Sequence, residues 1–360
     1  MKIRRVLAIV AGAVVGLLTS SGATAQQSAR IAPADILIVH AKVYTLNPQK
    51  PWAQSVAIRH GKIQAVGSEE EVEKYRGTGT KMVDAEGKLV LPGFCDSHVH
   101  FLDGSLALTQ ANLEEAENLE QIQKNLRDYA GKHPGDSWIL GRGWKYAAFA
   151  PETLPRREML DALFPDRPVY LQAYDEHTAW ANSKALSLAG ISKTTPDPPN
   201  GSIVRDPVTG EPTGTVKEDT GMALIERVIP KPTREEKLTA LRRGIKWANQ
   251  NGLTRVHSAG GDFEELALFD ELRQTKQLTL RFYIAYLLNP PELRQPDVET
   301  IETARRKYHD EWLDAGAVKF LMDGVVESHT AAFLDPYSDD PKLNGALFWD
   351  PEKYKNAVAD

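Results

Sequence analysis

The sequence predicts an α/β protein: a strand-rich N-terminal segment followed by a larger parallel sheet with helical crossovers. Three observations predict it. Between residues 34 and 88, short β-branched runs alternate with turn residues. From residue 89 onward, apolar strands alternate with amphipathic helices. Several of those helices carry readable caps, and strands that alternate with helices need crossovers between parallel neighbours.

The first 25 residues stand apart. Lys2, Arg4 and Arg5 precede an apolar stretch from Val6 to Leu18, and Ala23-Thr24-Ala25 offers a small-residue cleavage site before Gln26. This is the pattern of a secretory signal, too short for a stable membrane span. It predicts a periplasmic or secreted mature protein. Arg4-Arg5 leaves the twin-arginine export route open beside the ordinary one.

The full chain has 43 Lys and Arg against 49 Asp and Glu, a formal net charge of −6. Loss of the signal removes three cations and no acid and leaves −9. That balance argues against nucleic acid or an anionic membrane as partner. No later segment has enough continuous apolar residues to cross a membrane. Cys95 is the only cysteine, so no internal disulfide can form. It reads as a small buried residue, with a ligand or nucleophile as the alternative.

The predicted strands of the first domain, residues 26–88, are 36–39, 42–46, 55–58 and 62–66, with Arg59-His60-Gly61 as a hairpin turn. A second turn at Glu86-Gly87 lies between 81–84 and 88–90. Asn118 caps a helix with the stripe Leu119, Ile122, Leu126 and Tyr129, closed at Gly131. Thr233 and Glu236 form a capping box ahead of Leu238, Leu241, Ile245 and Ala248, and Gly252 ends that helix. Strands follow at 253–257, 278–284 and 317–323. The stretch from about 132 to 232 reads as a large insertion with strands at 138–140 and 169–172 and a hairpin from 202–204 to 215–216.

The tract Leu89-Val90-Leu91-Pro92-Gly93-Phe94-Cys95-Asp96-Ser97-His98-Val99-His100 carries the chemistry. It reads as a buried strand ending in two histidines one residue apart. Strand side chains alternate faces, so His98 and His100 point the same way, and Asp96 shares their parity. Two neutral imidazoles on one rigid strand can clasp a metal such as zinc.

This tract resembles the first barrel strand of the amidohydrolase superfamily, with its Pro-Gly-x-x-Asp-x-His-x-His string. Gly141-Arg142-Gly143-Trp144, Leu154-Pro155-Arg156-Arg157, Asn182-Ser183-Lys184-Ala185-Leu186 and Pro212-Thr213-Gly214 are similar to amidohydrolase family three, in its branch related to N-substituted formamide deformylase. Lys319-Phe320 with Asp323-Gly324 extends the likeness. The resemblance implies a (β/α)8 TIM-type barrel beside a small β-sandwich. On that count the chain holds the sandwich (26–88) and the first half of the barrel (89–360). The expected later ligands on strands five, six and eight, and the general base, would lie beyond Asp360. The chain is therefore expected to be a fragment of a longer protein.

The resemblance makes His98 and His100 ligands of a divalent metal, zinc first, as one ion or two. Lys319, which alternates with Val318, Phe320 and Met322, is turned into the barrel, where such a lysine is carboxylated and bridges two metals; a salt bridge to Asp323 or another acid is the alternative. Bound divalent cations bring the pKa of water near neutrality and polarise a carbonyl. The implied function is a secreted hydrolase of non-peptide C–N bonds in a small amide-type substrate. Candidates for substrate contact are His177, in Asp175-Glu176-His177 where relatives more often carry Asp-Gly-His, and Trp180, Arg142, Trp144 and His257. Asn182 reads better as a helix cap. A cyclic amidohydrolase, an imidazolonepropionase-like hydrolase and an inactive binding or scaffold protein remain alternatives. A homodimer is left open for the full-length form.

Overall fold

His60 and Gly61, both at positive φ (49° and 74°), turn the chain between strands Ser55–Arg59 and Lys62–Gly67. Two left-handed central residues suit a two-residue hairpin, because their twist matches that of the strands. In this computed structural model residues 31–359 are described, apart from 152–153, 200, 289–294, 325 and 327–328. The signal-like segment lies outside the described residues. The chain divides into two compact units, one ending at Pro92 and one beginning at Gly93.

The first unit holds two small sheets. The hairpin joins Ile36–Val39 and Lys81–Asp84 in a four-stranded sheet, and Trp52–Ala53, Lys42–Tyr44 and Leu89–Val90 form a three-stranded one. Val43 and Val56, one from each sheet, are buried in a shared apolar core with Ile38, Ala53 and Val90 against them, which makes a sandwich. The predicted boundary after residue 88 falls too early. Leu89–Val90 pairs in parallel with Lys42–Val43, so the tract read as one buried strand is two pieces separated by Leu91-Pro92-Gly93. It is not buried either: Leu89 is 55% and Phe94 56% exposed.

The second unit contains an all-parallel sheet of β1 (Phe94–Val99), β2 (Leu253–Gly261), β3 (Arg281–Leu288) and β4 (Leu313–Phe320), neighbours in chain order. Helix α1 (Phe101–Ala107) follows β1 directly, α2 (Arg234–Gln250) leads into β2, and α3 (Phe263–Gln274) and α4 (Gln295–Lys307) make the next crossovers. The capping box on α2 is present, with Thr233 Oγ accepting from the Glu236 N–H. Its predicted stripe, Leu238, Leu241, Ile245 and Ala248, is buried against the sheet. At the centre of that layer Phe282 stacks on Phe269 (ring centroids 4.1 Å apart) and meets the edge of Phe101 (4.9 Å).

Extra residues shift the register of this sheet at four places, the first where Leu253 and Arg255 face Phe94 and Cys95. Asp96 and Val99 face Val256 and Ser258, Ala259 and Gly261 face Ala285 and Tyr286, and Asp314 and Ala317 face Tyr283 and Ala285. Such bulges reverse the alternation of side chains along the strand. In β4 the result is that Leu313 and Ala315 join the helix-side core, whereas Lys319, of the same parity, falls opposite Leu287 and so on the face shared by Tyr283 and His257. Lys319 and Phe320 fall on opposite faces, as their alternation predicts, with Phe320 against Trp349 and Tyr354.

Between β1 and β2 lies a six-stranded mixed sheet: Ser202–Arg205, Pro212–Lys217, Thr178–Ala181, Val169–Ala173, Ile139–Trp144 and Ala111–Asn112 in spatial order. It begins some twenty residues before the predicted start at 132. The helix Leu119–Lys132 was expected to belong with the barrel helices. Instead its Ile122 and Leu126 pack in the core of this second sheet with Leu113, Ile139 and Leu171. It also runs one residue past Gly131. The Asn118 cap is as predicted, its side chain accepting from Gln121 N–H at 3.0 Å.

Phe282 is the anchor of the helix layer, and Phe282→Ala should lower the unfolding free energy by about 3–5 kcal/mol. Chemical denaturation measures this; a loss below about 1 kcal/mol would show that the aromatic trio does not hold the layer.

Candidate functional site

The candidate site is built on His257 to Gly261 of β2 and what leans on them. Val99 packs into the helix-side core, which leaves its flanking neighbours His98 and His100 on the opposite side. Their ring centroids are 5.9 Å apart and the planes are inclined by 55°. Two imidazoles sharing one ion about 2 Å from each ring nitrogen have comparable ring separations, roughly 5–6 Å. Asp96 accepts the His98 backbone N–H at 3.0 Å. Its simple parity with the histidines is lost, because the extra residue of β1 lies between Asp96 and Val99. Cys95, expected to be buried, is exposed: it sits on the outermost strand of this sheet, with β2 as its one neighbour.

Gly260 (φ 127°) is where the sheet admits His100. A Cβ at that position would come within 3.2 Å of the His100 Cε1, and L side chains rarely adopt that backbone conformation. Lys319 reaches the same place from β4, its ammonium donating to the Ala259 carbonyl at 3.3 Å. His257 packs edge-on to Tyr283 with ring centroids 5.0 Å apart. Its Nε2 is buried and has no hydrogen-bond partner among the described residues. Burial, then the nearby His98, holds the His257 imidazole below its usual pKa, which favours the neutral ring that coordinates metals.

An orphaned buried imidazole nitrogen, two converging histidines and an inward lysine fit a divalent cation. They do not complete a site: among the described residues, no three His, Cys, Asp or Glu side chains gather into a metal-binding group.

The remaining predicted contacts lie on the six-stranded sheet. Trp144 and Trp180, expected to contact substrate, do not reach a surface. Both are fully buried, and their indole N–H groups are spent on the Leu171 and Arg156 carbonyls at 2.9 and 3.1 Å. They are core side chains with no surface for a ligand, and their apolar bulk is what holds them inside. Arg142 and His177 are accessible. Arg142 pairs with Glu176 at 2.9 Å, and His177 Nδ1 meets a Glu218 oxygen at 3.0 Å, which raises the histidine pKa. Tyr146 donates to Asp175 at 3.0 Å in the same cluster. Glu176 and Glu218 both hold left-handed φ, 64° and 61°, a conformation that costs a non-glycine residue about 1–2 kcal/mol. That is why glycine is at home at position 176 of such a motif. Asn182 is a cap, as expected: it accepts from Ala185 N–H at 3.0 Å and donates to the Phe164 and Arg167 carbonyls.

Sequence reading missed Glu265, a buried acid on α3. Its helical spacing marks a solvated first turn; only the fold shows the carboxyl turned under β2, where Ser258 donates to it at 3.1 Å.

Gly260→Ala should displace His100 and cost of the order of 1–3 kcal/mol, read as a shift in the urea midpoint; no shift would mean the close approach is not tight. Glu218→Gln should move the His177 pKa down toward its ordinary value, followed by NMR titration of the ring. Because the folded pKa is raised, this pair supports the fold below the unfolded pKa and loses its effect as pH rises through the folded value. A titration that does not respond to the substitution would assign the shift to another neighbour.

Comparison with known proteins agrees with this architecture. The profile of the amidohydrolase family matches residues 81–358. Protein LONG AFTER FAR-RED 3 of Arabidopsis thaliana is 33% identical over 335 residues, covering 90% of this chain and 56% of its own length. N-substituted formamide deformylase of Arthrobacter pascens is 34% identical over 192 residues, 51% of this chain and 34% of the relative. An uncharacterized metal-dependent hydrolase from Pyrococcus horikoshii has the same fold, with a TM-score of 0.66 at 24% identity over 90% of this chain and 62% of that one. The chain thus spans little more than half the length of the plant relative. With the profile match covering most of its residues, the chain belongs to the amidohydrolase family.

Proposed function

We propose that the full-length protein is an exported, metal-dependent hydrolase of non-peptide C–N bonds, and that this chain supplies its first metal ligands. The observation that carries the reading is the convergence of His98, His100, His257 and Lys319 on one short stretch of β2. The parallel sheet is read as the first half of a (β/α)8 barrel, because its four strands neighbour one another in chain order. In such barrels the chemistry sits at the C-terminal ends of the strands.

His98 and His100 would hold a divalent cation, with zinc the first candidate for an imidazole site. The cation, when bound, supplies water activation and carbonyl polarisation. His257 would face the substrate beside them as a neutral ring. Lys319 would bridge as a carbamate, which its Nζ can form and a guanidinium cannot. Arg142 and His177, each paired with a glutamate, would contact the substrate from the inserted sheet. The formamide deformylase relative favours an amide or formamide-type substrate. The general base and the remaining ligands are assigned to strands of the longer protein. Arg4, Arg5 and the apolar run after them support export.

Elemental analysis tests the reading. The purified protein should take up zinc, and His98→Ala with His100→Ala should abolish that uptake. Unchanged stoichiometric zinc in the double variant would refute the ligand assignment. Lys319→Arg should abolish turnover in the full-length enzyme, assayed against N-formyl and N-acyl amines, and wild-type turnover would exclude the carbamate. The 360-residue chain alone should show no turnover with added zinc, since a positioned base is required; turnover that disappears in His98→Ala would show that the chain carries its own base.

A further inference from the structure

Among the described residues two carboxylates are buried, Asp270 and Glu265. Asp270 is paired with Arg273 at 2.5 Å. Glu265 contacts a hydroxyl instead of a cation. The Ser258 hydroxyl donates to its Oε1 at 3.1 Å, and the same Ser258 oxygen accepts the Phe101 backbone N–H at 3.4 Å. Phe101 immediately follows His100, and Ser258 immediately follows His257. Asp262 caps α3 and accepts the Glu265 backbone N–H at 2.7 Å, which fixes the base of the side chain. One carboxyl therefore ties the end of β1, the bulged end of β2 and the start of α3.

The arrangement is costly as mere packing. Burial pushes the Glu265 carboxyl up to about 7, the acids Asp103 and Asp262 add to the shift, and Ser258 opposes it. An apolar side chain of similar size would avoid the desolvation cost. Groups perturbed in this way cluster at functional sites.

We propose that Glu265 is a positioning residue for the divalent cation: through Ser258 it holds the backbone beside His100 and His257, so that both imidazoles keep their aim. The inference rests on the metal reading above. Hydrogen-bonded groups behind metal ligands typically govern affinity by 10- to 100-fold.

Zinc affinity of the chain, measured by competition with a chromophoric chelator, decides it. Wild type and the His98→Ala/His100→Ala pair set the baseline; a baseline without histidine-dependent zinc binding overturns the metal reading itself, and this inference with it. With that baseline in place, Glu265→Leu should weaken zinc binding by about 10-fold or more. Glu265→Gln keeps an acceptor for the Ser258 hydroxyl and should bind close to wild type, a rescue that a purely space-filling role does not predict. Ser258→Ala breaks the same link with a minimal change of volume and should weaken zinc binding too, which covers the case in which Glu265→Leu does not fold. Wild-type affinity in Ser258→Ala, or Glu265→Gln binding as weakly as Glu265→Leu, would overturn the assignment.

Discussion

The contact of Phe101 with Phe282 is the constraint on which the larger unit depends. Phe282 lies on the middle of the parallel sheet, with Phe269 stacked on one side and the edge of Phe101 on the other. A parallel sheet must cover its faces with helices, and large aromatic rings are the most effective apolar fill for that layer. Because Phe101 is the residue after His100, the same burial that seats α1 on the sheet also ends β1 at a defined point. The histidine pair is thus held by the core, one residue away.

The polar groups of this region divide by how they are supported. His98 and Lys319 stand on strands of the parallel sheet and His100 at the start of α1, so each is held by backbone pairing and by the packing of Val99, Phe101 and Phe320 beside it. Arg142, Glu176, His177 and Glu218 lie on the inserted sheet, and they are held by one another. Exposed pairs of this kind contribute about 0–1 kcal/mol each. Two residues of that cluster sit in left-handed backbone, and a non-glycine side chain is retained there only when its surroundings over-determine it.

Much of this was legible in the sequence. The caps at Asn118, Asn182 and Thr233 were readable because a cap is a local hydrogen bond between neighbours in the chain, and the stripe of α2 because helical periodicity is a local property. The histidine pair was readable from the motif around it. Trp144 and Trp180 were misread because an indole in a motif looks the same whether it faces a ligand or a core. Only the tertiary fold shows that both N–H groups are already bonded to backbone carbonyls. The helix Leu119–Lys132 was placed with the wrong sheet because its amphipathic stripe specifies that it packs, not against what. Glu265 stayed hidden for the same reason: a glutamate in a first helical turn is common, and its burial is decided by residues far along the chain.

The register shifts of this sheet have an evolutionary consequence. Each adds one residue to a strand and so exchanges the roles of its two faces beyond that point. A single-codon deletion at Gly316 would leave the hydropathy of β4 almost unchanged, yet it would deliver the Lys319 amine to the helix layer and the Phe320 ring to the interior. Drift in strand length is therefore closed to this region, while substitutions that keep the count remain open. Any recombination of this domain with a relative has to cross between the bulges, where the phases of the two parents agree.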